Sequence, residues 1–164
     1  MYNINDAVVY GSNGVCVITA IEERDFSGEN VEYYILQPVN NSKNTFYVPT
    51  SNYALKNKMR SIYSRKEIDS LISSMGDECS IWIDDNFQRK EEYRKIIDKG
   101  DRRELVRLIK TLWQKNIELG QKHKKLHSTD ERFLKDAENI LYSEFAYSLD
   151  IPVEEVVDYI RKHV

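Results

Sequence analysis

Few residues in this sequence have the types and spacing that catalysis or metal binding requires. His123 and His127 stand four apart, which puts two imidazoles on one face of a helix and could supply two metal ligands. A third ligand is missing, and Lys122, Lys124 and Lys125 crowd the same segment, where they repel a cation. Asp84-Asp85 and Glu91-Glu92 are paired acids, but they read as helix starts, where carboxylates complement the dipole. No Gly-rich phosphate loop is present, and no Ser or Cys stands in a nucleophile signature. Cys16 and Cys79 lie too far apart for a metal knuckle. These residues predict no enzyme, no metal, no cofactor and no small-molecule substrate. The two unpaired cysteines, and an opening Met1 to Asp6 without a basic region, predict a reduced cytoplasmic protein.

The chemistry that the chain does suggest is electrostatic. Its formal charge of -3 would argue against nucleic acid if evenly spread, but it is not. Residues 1–85 hold 7 Lys and Arg against 12 Asp and Glu, residues 86–125 hold 13 against 6, and residues 126–164 hold 4 against 9. A cationic block between two acidic ones can bind phosphates, although charge runs more often form a solvated face. No apolar run approaches the roughly 18 residues of a membrane span.

The cationic block must be carried on helices. Gly100-Asp101 reads as a turn and an N-cap, after which Leu105, Leu108, Ile109, Leu112, Trp113 and Ile117 recur at the spacing of one helical face. Trp113 on that stripe is expected in the core. The opposite face carries Arg102, Arg103, Arg107, Lys110 and Lys115. A preceding helix is predicted over 86–98, and a polar link over 120–127. Ser128 to Glu131 has capping-box spacing before a helix lined by Phe133, Ala137, Ile140, Leu141 and Phe145. Pro152 breaks it, and Val153, Val156, Val157 and Ile160 line a last short helix, so this half is a compact four-helix domain.

The first half alternates instead. Ala7 to Tyr10, Val15 to Arg24, Val31 to Gln37 and Thr45 to Val48 read as short strands separated by turns, and Gly11 and Gly14 permit positive φ in the first turn. Four or five such strands imply a small antiparallel barrel or meander. After Pro49 the pattern becomes helical, with a capping box at Ser64 and Glu67 before Ile68, Leu71 and Ile72. Gly76 and Asp77 end that helix and place the expected domain boundary between residues 1–76 and 77–164.

Asp6 to Tyr10, Gly14, Ile21-Glu22, Gly28, Tyr33, Leu36 and Val48-Pro49 form a pattern that resembles the CarD/CdnL family of bacterial transcription regulators. In the second half the residues that carry the resemblance are Gly100-Asp101, Leu105, Ile109, Leu112, Glu131, Ala137, Leu141 and Glu144 to Ala146. Asn5 and Gly11 depart from the family's glycine and proline. The resemblance implies an α+β chain, with an N-terminal Tudor-like (SH3-like) antiparallel β domain followed by a compact all-helical domain. It also implies that the β domain docks on the RNA polymerase β subunit. The helical domain is then expected at promoter DNA, at the upstream edge of the bubble, where an aromatic wedge keeps the open complex from closing.

Carried over by position, Arg24 matches a family arginine used in polymerase contact, and Tyr47 falls where the family has a second one. The family's wedge tryptophan aligns with Asn86, which cannot act as an apolar wedge. Trp82, one turn earlier, is favoured as the DNA-facing aromatic, with Phe87 the alternative and burial of Trp82 between Ile81 and Ile83 its competing reading. Arg89, Lys90, Arg94 and Lys95 match the family's basic stretch after the wedge and are expected on phosphates. A second class of function remains open, in which the chain is a protein–protein adaptor on polymerase with no direct DNA contact.

Overall fold

A computed structural model describes all residues from Met1 to Val164, and these divide into two compact units, Met1–Ile62 and Tyr63–Val164. The fold class is α+β, with an antiparallel sheet in the first unit and helices in the second.

The sheet contains β1 (Ala7–Tyr10), β2 (Val15–Asp25), β3 (Asn30–Pro38), β4 (Phe46–Pro49) and β5 (Met59–Ser61), in the order β4-β3-β2-β1-β5. Gly11 and Gly14 both take positive φ between β1 and β2. The register slips once, between Ile18 and Ala20, and the Thr19 hydroxyl donates there to the Ile35 carbonyl at 3.2 Å. One face buries Val8, Cys16, Ile18, Tyr34, Leu36, Val48 and Met59. The segment after Pro49 differs from the expected helix. It makes one turn, α1 (Tyr53–Lys56), and then returns as β5 against β1. Three residues, Met59-Arg60-Ser61, are too short to show an alternation in the sequence.

The second unit contains α2 (Arg65–Ser74), α3 (Asn86–Lys99), α4 (Arg102–Gln121), α5 (Ser128–Leu149) and α6 (Val156–His163). The capping box before α2 forms as the spacing predicts. The Glu67 amide donates to Ser64 Oγ at 3.3 Å, and the Ser64 amide to Glu67 Oε2 at 2.8 Å. Gly100 closes α3 in the left-handed conformation, and Asp101 caps α4 by accepting from the Glu104 amide at 3.0 Å. Ile68 and Ile72 of α2 are buried, and α2 packs on α5 and α6. That helix lies with the helical unit, whereas the sequence pattern groups it with the strands.

Two expectations for the long helices change. The box at Ser128 and Glu131 does not form; Ser128 is already the first helical residue of α5, and His127 takes the N-cap position without a side-chain cap. The register is set instead by Asp130, whose carboxylate is taken by an interhelical partner. Leu105, Leu108, Ile109 and Leu112 are buried on α4, but Trp113 is only half-buried and donates Nε1 to Glu138 at 2.8 Å. Ile117 is 64% exposed, so the stripe runs past the core in the last turns.

The two thiols differ in environment and therefore in reactivity. Burial pushes the Cys16 thiol up to about 11, while Cys79 is exposed. Because the folded value of Cys16 is raised, the stability it reports is full below the unfolded thiol range and is lost as pH rises through about 11. At mildly alkaline pH a thiol-exchange reagent should therefore label Cys79 rapidly and Cys16 only after denaturant unfolds the sheet. Fast labelling of both in native protein would contradict the buried position of Cys16.

Candidate functional site

In the β unit, the side chains opposite the core form a compact aromatic group. Strand alternation sends Tyr34 and Val48 inward, which turns Tyr33 and Tyr47 outward on β3 and β4. Phe26, just beyond β2, joins them, with ring centroids 5.3 Å from Tyr33 and 5.2 Å from Tyr47, both edge-on. Phe26 and Tyr47 remain 61% and 43% exposed. Arg24 pairs across the ladder with Val31, two residues from Tyr33 and on the same face. Its guanidinium is exposed and meets Glu22 at 2.6 Å. The two residues expected at a polymerase contact, Arg24 and Tyr47, thus share one face. Phe26 and Tyr33 complete that patch. Phe26 was hidden from sequence reasoning by its place in a turn; an aromatic among polar turn residues was the available signal.

In the helical unit, the candidates lie around the start of α3. Trp82 precedes the helix, half-buried, with Nε1 donating to Asp84 Oδ1 at 3.0 Å. Two cations approach its ring: the Arg89 guanidinium at 4.3 Å and the Lys115 ammonium at 4.7 Å from the centroid. The backbone on either side is pinned as well. The Ile81 amide donates to Thr111 Oγ1 at 3.0 Å, the Tyr93 hydroxyl donates to the Ile81 carbonyl at 3.1 Å, and Arg89 Nη1 donates to the Ile83 carbonyl at 2.9 Å.

Arg89 is not a surface cation. It is 3% exposed and makes a bidentate pair with Asp130 of α5, 2% exposed, at 3.0 and 2.8 Å. Nη2 also donates to Asn86 Oδ1 at 2.8 Å. Burial, with the Asp130 charge adding to it, pushes the neighbouring Tyr93 hydroxyl up to about 12. Arg89 is therefore placed to hold Trp82 and the turn before α3, and its guanidinium is engaged by internal partners, chiefly Asp130.

The other candidates are divided between free and neutralised charge. Arg94 meets Glu91 at 3.4 Å and Lys95 meets Glu92 at 3.0 Å, each within one turn of the same helix. On α4, Arg103 and Arg107 converge on the buried Glu78, and Lys110 donates to the carbonyls of Met75, Gly76 and Glu78. Lys90 is exposed and has no carboxylate partner. Beside it, Phe87 is 74% exposed, the most open aromatic ring near α3. Asn86, Phe87 and Lys90 line a shallow depression with His127 and Thr129 of the α5 start, and the Arg89–Asp130 pair forms part of its wall. Lys124, Lys125 and Arg132, close in sequence to that start, are exposed and without carboxylate partners. His123 and His127 are both exposed, and no group of three His, Cys, Asp or Glu side chains stands close enough to hold a metal ion.

The Arg89–Asp130 pair gives a measurable consequence. Asp130→Ala leaves a buried guanidinium without its counter-charge, which should cost about 3–5 kcal/mol in urea unfolding. In a Trp113→Phe background the same change should increase acrylamide quenching of Trp82, because the cation that covers its ring is no longer fixed. Unchanged stability and quenching would show that the pair does not hold this turn.

Comparison with known proteins agrees with these two units. Residues 2–63 match the family model described as the CarD-like/TRCF RID domain, and residues 72–161 match that of the CarD C-terminal domain. Over 150 residues the chain is 27% identical to the protein named "Putative transcription factor YdeB" from Bacillus subtilis (strain 168), covering 88% of this chain and 90% of that one. With both matches in order along nearly its whole length, the chain belongs to the CarD-like family of transcription factors.

Proposed function

We infer that the chain regulates transcription by binding, with its β unit docked on the β subunit of RNA polymerase and its helical unit on promoter DNA at the upstream edge of the bubble. In that position it stabilises the open complex, acting in the cytoplasm and without catalysis. The match to the CarD-like/TRCF RID domain supports polymerase as the partner of the β unit. The observation that carries the reading is the open aromatic patch of Phe26, Tyr33 and Tyr47 beside Arg24, since aromatic and arginine side chains are the usual anchors of protein interfaces.

For the helical unit, an exposed ring flanked by unneutralised cations supports DNA contact. Phe87 has the exposure that insertion at a base step needs, and Lys90, with Lys124, Lys125 and Arg132, can take phosphates. The amides that open α5 have no side-chain cap, which adds donors for an anion at the same end. Trp82, half-buried beside its two cations, acts in this reading as a structural residue of the turn before α3. The neutralised state of Arg94, Lys95, Arg103 and Arg107 favours the adaptor reading instead, in which the helices bind protein.

Two measurements test these assignments. Arg24→Glu should weaken binding to a polymerase β-subunit fragment by about tenfold or more, with an unchanged melting profile. Equal affinity would remove this face from the interface. For DNA, log K should fall steeply with log salt, and Lys90→Ala should weaken binding about equally across sequences and flatten the slope by about one unit. Phe87→Ala should shorten the open-complex lifetime without changing melting, whereas Trp82→Ala should lower melting as well. No salt-dependent DNA term would favour the adaptor, and a lifetime loss confined to Trp82→Ala would exchange the roles of the two rings.

A further inference from the structure

The helical unit contains an apolar cavity of about 370 Å³ that shares no residue with either candidate surface. Its walls come from the end of α2 and from α4, α5 and α6, with Val106, Ile109, Trp113, Leu141 and Ile160 among them. The volume falls within the range of small-molecule sites, and four separate segments hold its shape. A side chain added at Gly76 on its edge would meet nothing within 4 Å, so space is open there.

The polar groups around it indicate what would fit. No acidic side chain lines the cavity; its two charged lining residues are Lys110 and Arg161. Lys110 spends its three donors on the carbonyls of Met75, Gly76 and Glu78, at 3.0, 3.0 and 2.9 Å, so it is a fixed wall. Arg161 is different: it is largely exposed and lies 3.9 Å from Asp158, at the outer limit of an ion pair. Tyr142, also in the wall, is buried and its hydroxyl has no hydrogen-bond partner. A guanidinium held only by one long, exposed ion pair at the edge of an apolar space complements an amphipathic anion.

We propose that this cavity binds a small organic anion with an apolar aryl or acyl body, the body filling the space between α4, α5 and α6 and the charged head meeting Arg161. Such a ligand would bind the folded helical unit and add to its stability by mass action, independently of DNA or polymerase. The site therefore stands or falls separately from the function inferred above.

Titration of the full chain with decanoate, followed by calorimetry and, in a Trp82→Phe background, by Trp113 emission, tests it. Saturable one-to-one binding is expected, with a raised melting temperature. Arg161→Gln should weaken decanoate by about tenfold while leaving the uncharged analogue decanol unchanged. Ile109→Trp, which fills the cavity, should abolish both. The proposal is overturned by absence of saturable binding, by equal effects of Arg161→Gln on acid and alcohol, or by wild-type affinity in a folded Ile109→Trp. If Ile109→Trp does not fold, the Arg161→Gln comparison decides alone, since that side chain is exposed and outside the core.

Discussion

Two acids on one face of α5 fix the helical unit. Asp130 and Glu144 are fourteen residues apart, about four turns, so both point from the same side of the helix. Asp130 takes Arg89 from α3, and Glu144 takes Arg102 from the first turn of α4 at 2.6–2.9 Å. Glu144 also accepts the Tyr63 amide at 2.9 Å, and the Arg102 guanidinium lies 3.8 Å over the Tyr63 ring. Apolar helix faces tolerate small slides and rotations, because the hydrophobic effect has no direction. A bidentate pair in the interior does not, since any shift leaves a charge desolvated and unmatched. These pairs select one arrangement of α3, α4 and α5 from the several that their leucines and isoleucines would accept.

The same pairs explain why the cationic block is a poor guide to the surface. Its members Arg89 and Arg102 are spent inside the protein, and Arg94, Lys95, Arg103 and Lys115 have carboxylate neighbours. What remains unneutralised is a small group about the starts of α3 and α5. Charge counted along the sequence measures composition, whereas charge available to a ligand depends on partners brought in from elsewhere in the fold.

That distinction also marks what the sequence could and could not reveal. Features whose partners lie within one turn were legible: the Ser64–Glu67 box, the Asp101 cap, the left-handed Gly100, and the glycines of the first turn. The order of strands and helices was legible because each apolar pattern is local. Ser128 and Glu131 had the spacing of a box, but Asp130 between them met Arg89, 41 residues away, and the long-range pair set the helix start. Trp82 could not be placed from its isoleucine neighbours, because its exposure depends on Lys115 and Arg89 closing over it. The patch at Phe26, Tyr33 and Tyr47 joins a turn to two strands and became visible only through the ladder register. Tertiary contacts between distant segments carry no periodic signal, and candidate sites are made largely of such contacts.

The scarcity of free cations at the α3 and α5 starts has a thermodynamic side. Each phosphate contact contributes through released counterions, so a group of four or so gives modest and salt-sensitive attraction, fading within a Debye length of about 8 Å at physiological ionic strength. A free chain with such a surface would spend little time on arbitrary DNA in the cell. Held at a promoter through its other unit, it would meet the duplex at the high effective concentration that a tether creates, where weak contact suffices. Selectivity for the right place on a chromosome would then come from the company the chain keeps, with the bases themselves contributing little.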